Sequence, residues 1–209
     1  RDLVRSRGLG DVYKRQVQVS EVEEGLVCEE KEYQVYAAPS DHMNHSLAYA
    51  LVEKPRPGRF NIEKARELGV PVGPLWSKLQ GGSSVKLSDG RIVKPEMVLG
   101  PPRPGRKIVY SGDTRQSENI VKLAEGADLL IHEATFDDEL KERAVEDGHS
   151  TPSMAAETAK KAGVKQLVLT HVSARYKDAK LLLEQARKTF VNTELAEDFL
   201  RLELPLSED

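Results

Sequence analysis

Short β-branched apolar runs alternate with amphipathic stretches along most of this 209-residue chain. Ile108-Val109-Tyr110 and Asp128-Leu129-Leu130-Ile131 have the length and composition of buried strands, and residues 166–170 (QLVLT) repeat the form. A helical pattern over residues 115–124, closing at Gly126, joins the first two. Upstream, residues 17–22, 26–30, 33–38 and 46–53 predict further strands, with Glu23-Glu24-Gly25 as a hairpin turn. Downstream, residues 137–146 predict a helix. Thr151 as N-cap with Pro152 at the first helical position opens another helix that runs to Lys161 and stops at Gly163. Residues 178–190 place Leu181, Leu182, Gln185, Ala186 and Phe190 at helical spacing, and residues 199–204 predict a last strand. The strand–helix–strand order is that of an α/β sheet, in which ligands gather at the carboxyl ends of the strands.

Residues 54–107 break this rhythm. Eight of the eleven prolines fall there, at 55, 57, 71, 74, 95, 101, 102 and 104. Asn61 predicts the N-cap of a short helix ending at Gly69, and residues 74–82 (PLWSKLQGG) another helical turn. Residues 85–87 and 91–93 predict a hairpin around Ser88-Asp89-Gly90. Little in this stretch is expected to form a core of its own, so it reads as an arm that leaves the body near Lys54 and returns near Lys107. Trp76, the only Trp, lies within it.

Charge sharpens the division. The arm holds twelve Lys/Arg against Glu63, Glu67, Asp89 and Glu96, a surplus of eight, which leaves the remainder at −11 within a net charge of −3. A basic appendage on an acidic body suits a polyanionic partner held in one place; the plainer reading is a solvated Lys/Arg-rich excursion. A single cysteine, Cys28, excludes a disulfide framework and a cysteine-based zinc site, and a reducing, cytoplasmic setting is expected. No apolar run reaches the length of a membrane span. Residues 1–16 (RDLVRSRGLGDVYKRQ) have no usable period, resemble translated adapter sequence and are set apart from the fold as non-native. The chain is therefore expected to be a fragment whose true beginning is missing.

The candidate chemistry lies at the strand ends. Ser111-Gly112-Asp113-Thr114 follows one predicted strand and His132-Glu133 another; His171 ends a third, and Gly148-His149-Ser150 precedes a helix start. Asp41-His42-Met43-Asn44-His45 lies between two strands and completes the set of five histidines. Any one of these histidines alone reads as a structural or loop residue. Several imidazoles and a carboxylate at one sheet edge suit zinc, and paired metals suit phosphoryl chemistry.

With DHMNHSLAYALVE, GVPVGPLWSKLQGG, SGDT, IHEAT, GHST and THVSARY in this order, the chain resembles the ribonuclease Z family over roughly residues 17–209. The resemblance implies the metallo-β-lactamase fold (an αββα sandwich), here as its C-terminal portion, with an inserted tRNA-binding arm over about 54–107 that is flexible and protrudes. It implies a zinc-dependent endoribonuclease that removes the 3′ trailer of precursor tRNA by two-metal-activated attack of water on a phosphodiester. His42, Asp113 and His171 are the expected metal ligands among those of two Zn²⁺ ions, with His42 preferred to His45 by its spacing to Tyr49. His149, Glu133 and His132 are the expected catalytic residues, Glu133 orienting His149 near the scissile phosphate. Arg175, Tyr176, Gly73, Pro74 and Leu75 are the expected substrate contacts, and a cytoplasmic homodimer the expected assembly.

The family's H-x-H-x-D-H motif occurs nowhere in this sequence and is expected upstream of residue 17. Zinc affinity of this chain alone is accordingly expected to be poor, since each ion takes three or four protein ligands. Two alternatives remain: another phosphodiesterase of the same fold, and a non-catalytic fragment that binds tRNA through the arm.

Overall fold

The computed structural model describes residues 20–206. Seven strands form one mixed sheet: β1 (Gly25–Glu29), β2 (Tyr33–Pro39), β3 (Leu47–Glu53), β6 (Lys107–Tyr110), β7 (Leu129–Glu133), β8 (Gln166–Thr170) and β9 (Thr193–Leu195), neighbours in that order. The pairs from β1 to β6 are antiparallel and those from β6 to β9 parallel. Helices α3 (Glu118–Ala124), α5 (Pro152–Ala162) and α6 (Lys180–Arg187) supply the covering layer, α3 and α5 lying against the sheet. Alanines make this contact close: Ala48, Ala50, Ala124, Ala155, Ala156 and Ala159 are all buried with Leu130, Leu167 and Leu169. Each such Leu contributes about 1.5–3 kcal/mol by leaving water. Tyr49, Leu51 and Tyr110, which alternate with buried positions, remain exposed. Outside the arm, the described residues thus hold one sheet and one helical layer; the second large sheet of the expected αββα sandwich is not among them.

Several sequence expectations need correcting. Of the strand expected at residues 17–22, positions 17–19 lie outside the described residues and 20–22 form no ladder. The first hairpin turns after Glu29, not at residues 23–25. The last strand is β9, pairing with β8 at Leu167–Leu169, whereas Phe199 has a left-handed φ of 67° and is almost fully exposed. The helix expected over 137–146 divides into a 3₁₀ turn at Asp138–Leu140 and α4 (Lys141–Glu146). Thr151 is the N-cap of α5 by position but makes no side-chain capping bond. Asp138 does that work, accepting from Ser153 N and Oγ at 3.1 and 2.6 Å.

The arm also departs from expectation, because it has a core. Helices α1 (Ile62–Glu67) and α2 (Pro74–Gln80) and the hairpin of β4 (Val85–Lys86) with β5 (Ile92–Val93) bury Ala65, Val70, Leu79, Val85, Leu87, Val93 and Val98 together. Phe60 and Trp76 pack on this cluster with ring centroids 5.1 Å apart, and Trp76 Nε1 donates to the Val70 carbonyl. Asn61 caps α1 as expected, accepting from Lys64 N at 2.9 Å.

Topology separates the two regions. The carboxyl ends of β2, β6, β7 and β8 share one sheet edge. The arm leaves from the end of β3 and rejoins at the start of β6, which is the opposite edge. With seven residues in β3 the two edges are roughly 20 Å apart.

Candidate metal and phosphodiester site

Three parallel strands deliver the chemistry. Asp113 follows β6, Glu133 ends β7 and His171 follows β8, while the loop from β2 to β3 adds His42 at the same edge. His149 arrives on the turn between α4 and α5. Ligand atoms of Asp113, His149 and His171 all lie within 4.8 Å of one another. His42 stands beside them, its ring centroid 5.1 Å from that of His149. The donor set of one carboxylate and imidazoles suits zinc.

Glu133 holds the arrangement from below. It is fully buried, and its Oε1 accepts from Thr114 N (3.1 Å) and His149 Nδ1 (2.8 Å). Its Oε2 accepts from Thr135 N (3.0 Å) and Thr135 Oγ1 (2.9 Å). Four donors on one buried carboxylate leave little unmet hydrogen-bonding capacity. With Nδ1 of His149 turned to Glu133, its Nε2 is the atom left for the site. Thr135 Oγ1 also meets His171 Nδ1 at 2.9 Å, and Asp113 Oδ1 lies 3.2 Å from that same nitrogen. His171 has φ 55°, a left-handed conformation that costs a non-glycine residue about 1–3 kcal/mol and is found at sites where geometry matters.

Neighbouring loops are tied to one another. Thr114, fully buried, accepts from Asp41 N through Oγ1, and its carbonyl accepts from Ser150 Oγ. Arg115 bonds Asp41 Oδ1 (3.1 Å) and the carbonyls of Val145 (2.5 Å) and Glu146 (3.4 Å), so one guanidinium bridges the His42 loop and the end of α4. His42 Nδ1 faces the Gly148 carbonyl at 2.8 Å, which leaves its Nε2 available. A Cβ on Gly148, whose φ is 85°, would lie 2.6 Å from His42 Nδ1. Only glycine suits this position.

Of the residues expected from sequence, Asp113, His149, His171, Glu133 and His42 are therefore brought together. His45 is exposed on its loop. Arg175 and Tyr176 lie at the rim: the Arg175 guanidinium sits 4.8 Å from the centre of the Phe136 ring, and Phe136 packs edge-on to His149. Tyr176 Oη accepts from Asp137 N at 2.9 Å, and burial pushes its phenol above the usual range. His132 is elsewhere. It alternates onto the face of β7 that carries Leu130, is fully buried, and places Nδ1 2.8 Å from the Glu133 carbonyl. Burial pushes its pKa down, so it is held neutral. Gly73, Pro74 and Leu75 are on the arm, where Gly73 precedes α2 and Leu75 packs on the arm core.

Thr114, Thr135 and Gly148 lie in the motifs SGDT, IHEAT and GHST but have no role of their own in the sequence reading, and Arg115 and Phe136 lie just outside those motifs. Thr135 is the last residue of IHEAT and Gly148 the first of GHST, so their placement beside chemistry was readable. Arg115 and Phe136 carry no such signal.

The beta-lactamase superfamily domain profile matches residues 94–172, which contain Asp113, Glu133, His149 and His171. The ribonuclease Z of Myxococcus xanthus is 53% identical over 192 residues, covering 91% of this chain and 62% of that protein. The ribonuclease Z of Archaeoglobus fulgidus is 48% identical over 194 residues, covering 92% of this chain and 63% of that protein. The chain thus spans a little over three-fifths of the length of these relatives. Among solved structures, the short form of human tRNase Z is 30% identical with a TM-score of 0.53, covering 87% of this chain and 47% of that one. The metallo-β-lactamase-fold protein YhfI of Bacillus subtilis, at 16% identity and a TM-score of 0.57 over 89% of this chain and 56% of that one, supports the fold alone.

Proposed function

This chain is a relative of the ribonucleases Z with the metallo-β-lactamase fold, and on that premise we propose that it serves as the body of a zinc-dependent endoribonuclease acting on the 3′ trailer of precursor tRNA. The observation that carries the reading is the buried Glu133–His149 pair set against Asp113 and His171 at one sheet edge.

Asp113, His171 and His42 would hold zinc, which when bound polarises a phosphoryl oxygen and lowers the pKa of water. Glu133 fixes the His149 ring through Nδ1, so that Nε2 faces the phosphodiester. There His149 gives its proton to the leaving 3′ oxygen as water adds to phosphorus and the phosphorus–oxygen bond to that 3′ oxygen breaks, and Glu133 steadies the charged ring. Thr135 and Asp113 set the orientation of His171. Arg175, at the rim, meets the phosphates flanking the scissile bond, and the basic arm grips the RNA by shape and backbone.

Because the arm springs from the edge opposite the site, a homodimer in which one subunit's arm serves the other's substrate is part of this proposal, as is cytoplasmic location. Among the described residues no helix is long and apolar enough to cross a membrane. The test is incubation with a precursor tRNA bearing a 3′ trailer and Zn²⁺. Cleavage at the end of the acceptor stem, slowed in His149→Ala with metal content retained, supports the assignment; loss of metal in that variant would make His149 a ligand instead.

A second reading has its own observation. Asp113, His149 and His171 form the one grouped ligand set among the described residues, and two zinc ions need more ligands than that. A chain that binds tRNA with strong salt dependence but does not cut it would fit this reading.

A further inference from the structure

At the sheet edge away from the site, Glu53 and Arg106 mark the two ends of the arm. Arg106 donates to Glu53 Oε2 from its backbone N and from Nε, both at 2.9 Å, and to Oε1 from Nη2 at 2.5 Å. Glu53 N donates in return to the Arg106 carbonyl at 2.9 Å. The fork holds the Glu53 carboxyl down at a pKa of about 2. Arg106 Nη1 reaches a third segment, the carbonyl of Leu204, at 3.1 Å. Gly105 lies against Glu53 so closely that a Cβ would collide with the Glu53 carbonyl.

Beyond this root the two chains stay paired. Arg56 and Arg103 exchange backbone hydrogen bonds of 2.8 and 2.9 Å, Phe60 bridges Leu99, and Asn61 N donates to the Val98 carbonyl. A paired ribbon transmits orientation from its root to whatever it carries, and here it carries a region with its own core.

We infer that Glu53, Arg106 and the C-terminal segment at Leu204 form a clamp that sets the arm's orientation relative to the body, making them positioning residues for the polyanionic partner. The inference rests on the proposed role of the arm in gripping RNA. Both side chains keep partial contact with water, about a quarter exposed for Glu53 and a third for Arg106. Neither side chain belongs to the core of the body or to that of the arm, so breaking the pair leaves both cores intact and a folded protein whose arm can be examined. The planar fork matters as well as the charge, because lysine cannot reproduce a bidentate contact.

The experiment places one spin label on Cys28, the chain's one cysteine and exposed in β1, and another on Ser83→Cys in the arm, then reads their distance distribution. The parent, Glu53→Gln, Arg106→Lys and a chain ending at residue 203 are compared, each also titrated with precursor tRNA. A broadened distribution in all three variants, with an unchanged melting temperature for the sheet and a roughly ten-fold weaker Kd from lost preorganisation, is the expected result. Broadening with unchanged RNA affinity would keep the clamp and overturn the arm's role in binding. A distribution as narrow as the parent's in Glu53→Gln and Arg106→Lys would overturn the clamp.

Discussion

The two edges of the seven-stranded sheet are built on opposite plans. At one, Glu133, Thr114 and Thr135 are buried and knit several loops together beneath a partly exposed cluster of Asp113, His149 and His171. At the other, two chain crossings meet in a partly hydrated ion pair, and a separate region with its own small core hangs from it. The first edge fixes atoms to within a hydrogen bond, which suits the proposed bond-breaking chemistry; the second fixes a direction, which suits the proposed grip on a large partner. Changes at one edge should leave the other unaffected.

The largest effect should come from Glu133→Leu. It strands the Thr114 and Thr135 amides and the His149 ring together, at a cost of about 3–5 kcal/mol in denaturant unfolding. Hydrogen exchange in the arm, residues 62–98, should not respond beyond that global shift. Leu79→Ala is the converse: it opens a cavity in the arm core, at a cost of about 2–5 kcal/mol, expressed as lost amide protection in the arm while β6–β8 stay protected. Unprotected sheet amides in Leu79→Ala would show that the arm is no separate unit.

Gly148→Ala acts within the site edge. The added methyl meets His42 Nδ1, so His42 turns and metal affinity falls about ten-fold, while the left-handed φ at this position costs about 1–3 kcal/mol of stability. The smallest effect concerns pH. His132 is held neutral by burial, so the unfolded chain takes up a proton below pH 6.5 that the folded chain refuses, and stability falls as pH drops below that value. Glu53 acts with the same sign in a lower window: its folded pKa is also depressed, so its contribution is complete above 4.5 and is lost only as pH falls toward about 2. The slope between pH 5 and 6.5 is therefore attributed to His132, and His132→Leu should flatten it.

The sheet's parallel half was legible because β6, β7 and β8 are apolar runs of strand length, each ending in chemistry. α5 was legible because Pro152 and Gly163 punctuate it. The arm core was not, because seven buried residues come from several very short elements among prolines and glycines, and no window shows a period. The last strand was misplaced because FLRLEL alternates as a strand should, whereas β9 is a three-residue segment made a strand by pairing with β8. His132 shows what a motif leaves out: it adjoins Glu133 in sequence, yet the two-residue period of β7 places it with Leu130 in the core.

The five histidines offer the most direct test of the central claim, that the site edge is a metal centre built on Asp113 and His171. Their ring proton resonances should be followed by NMR during titration with Zn²⁺, in the parent chain and in Asp113→Ala. The account predicts that His171, His149 and His42 shift while His45 and His132 do not, and that the response vanishes in Asp113→Ala. Shifts centred on His45, or a response that survives loss of Asp113, would contradict it.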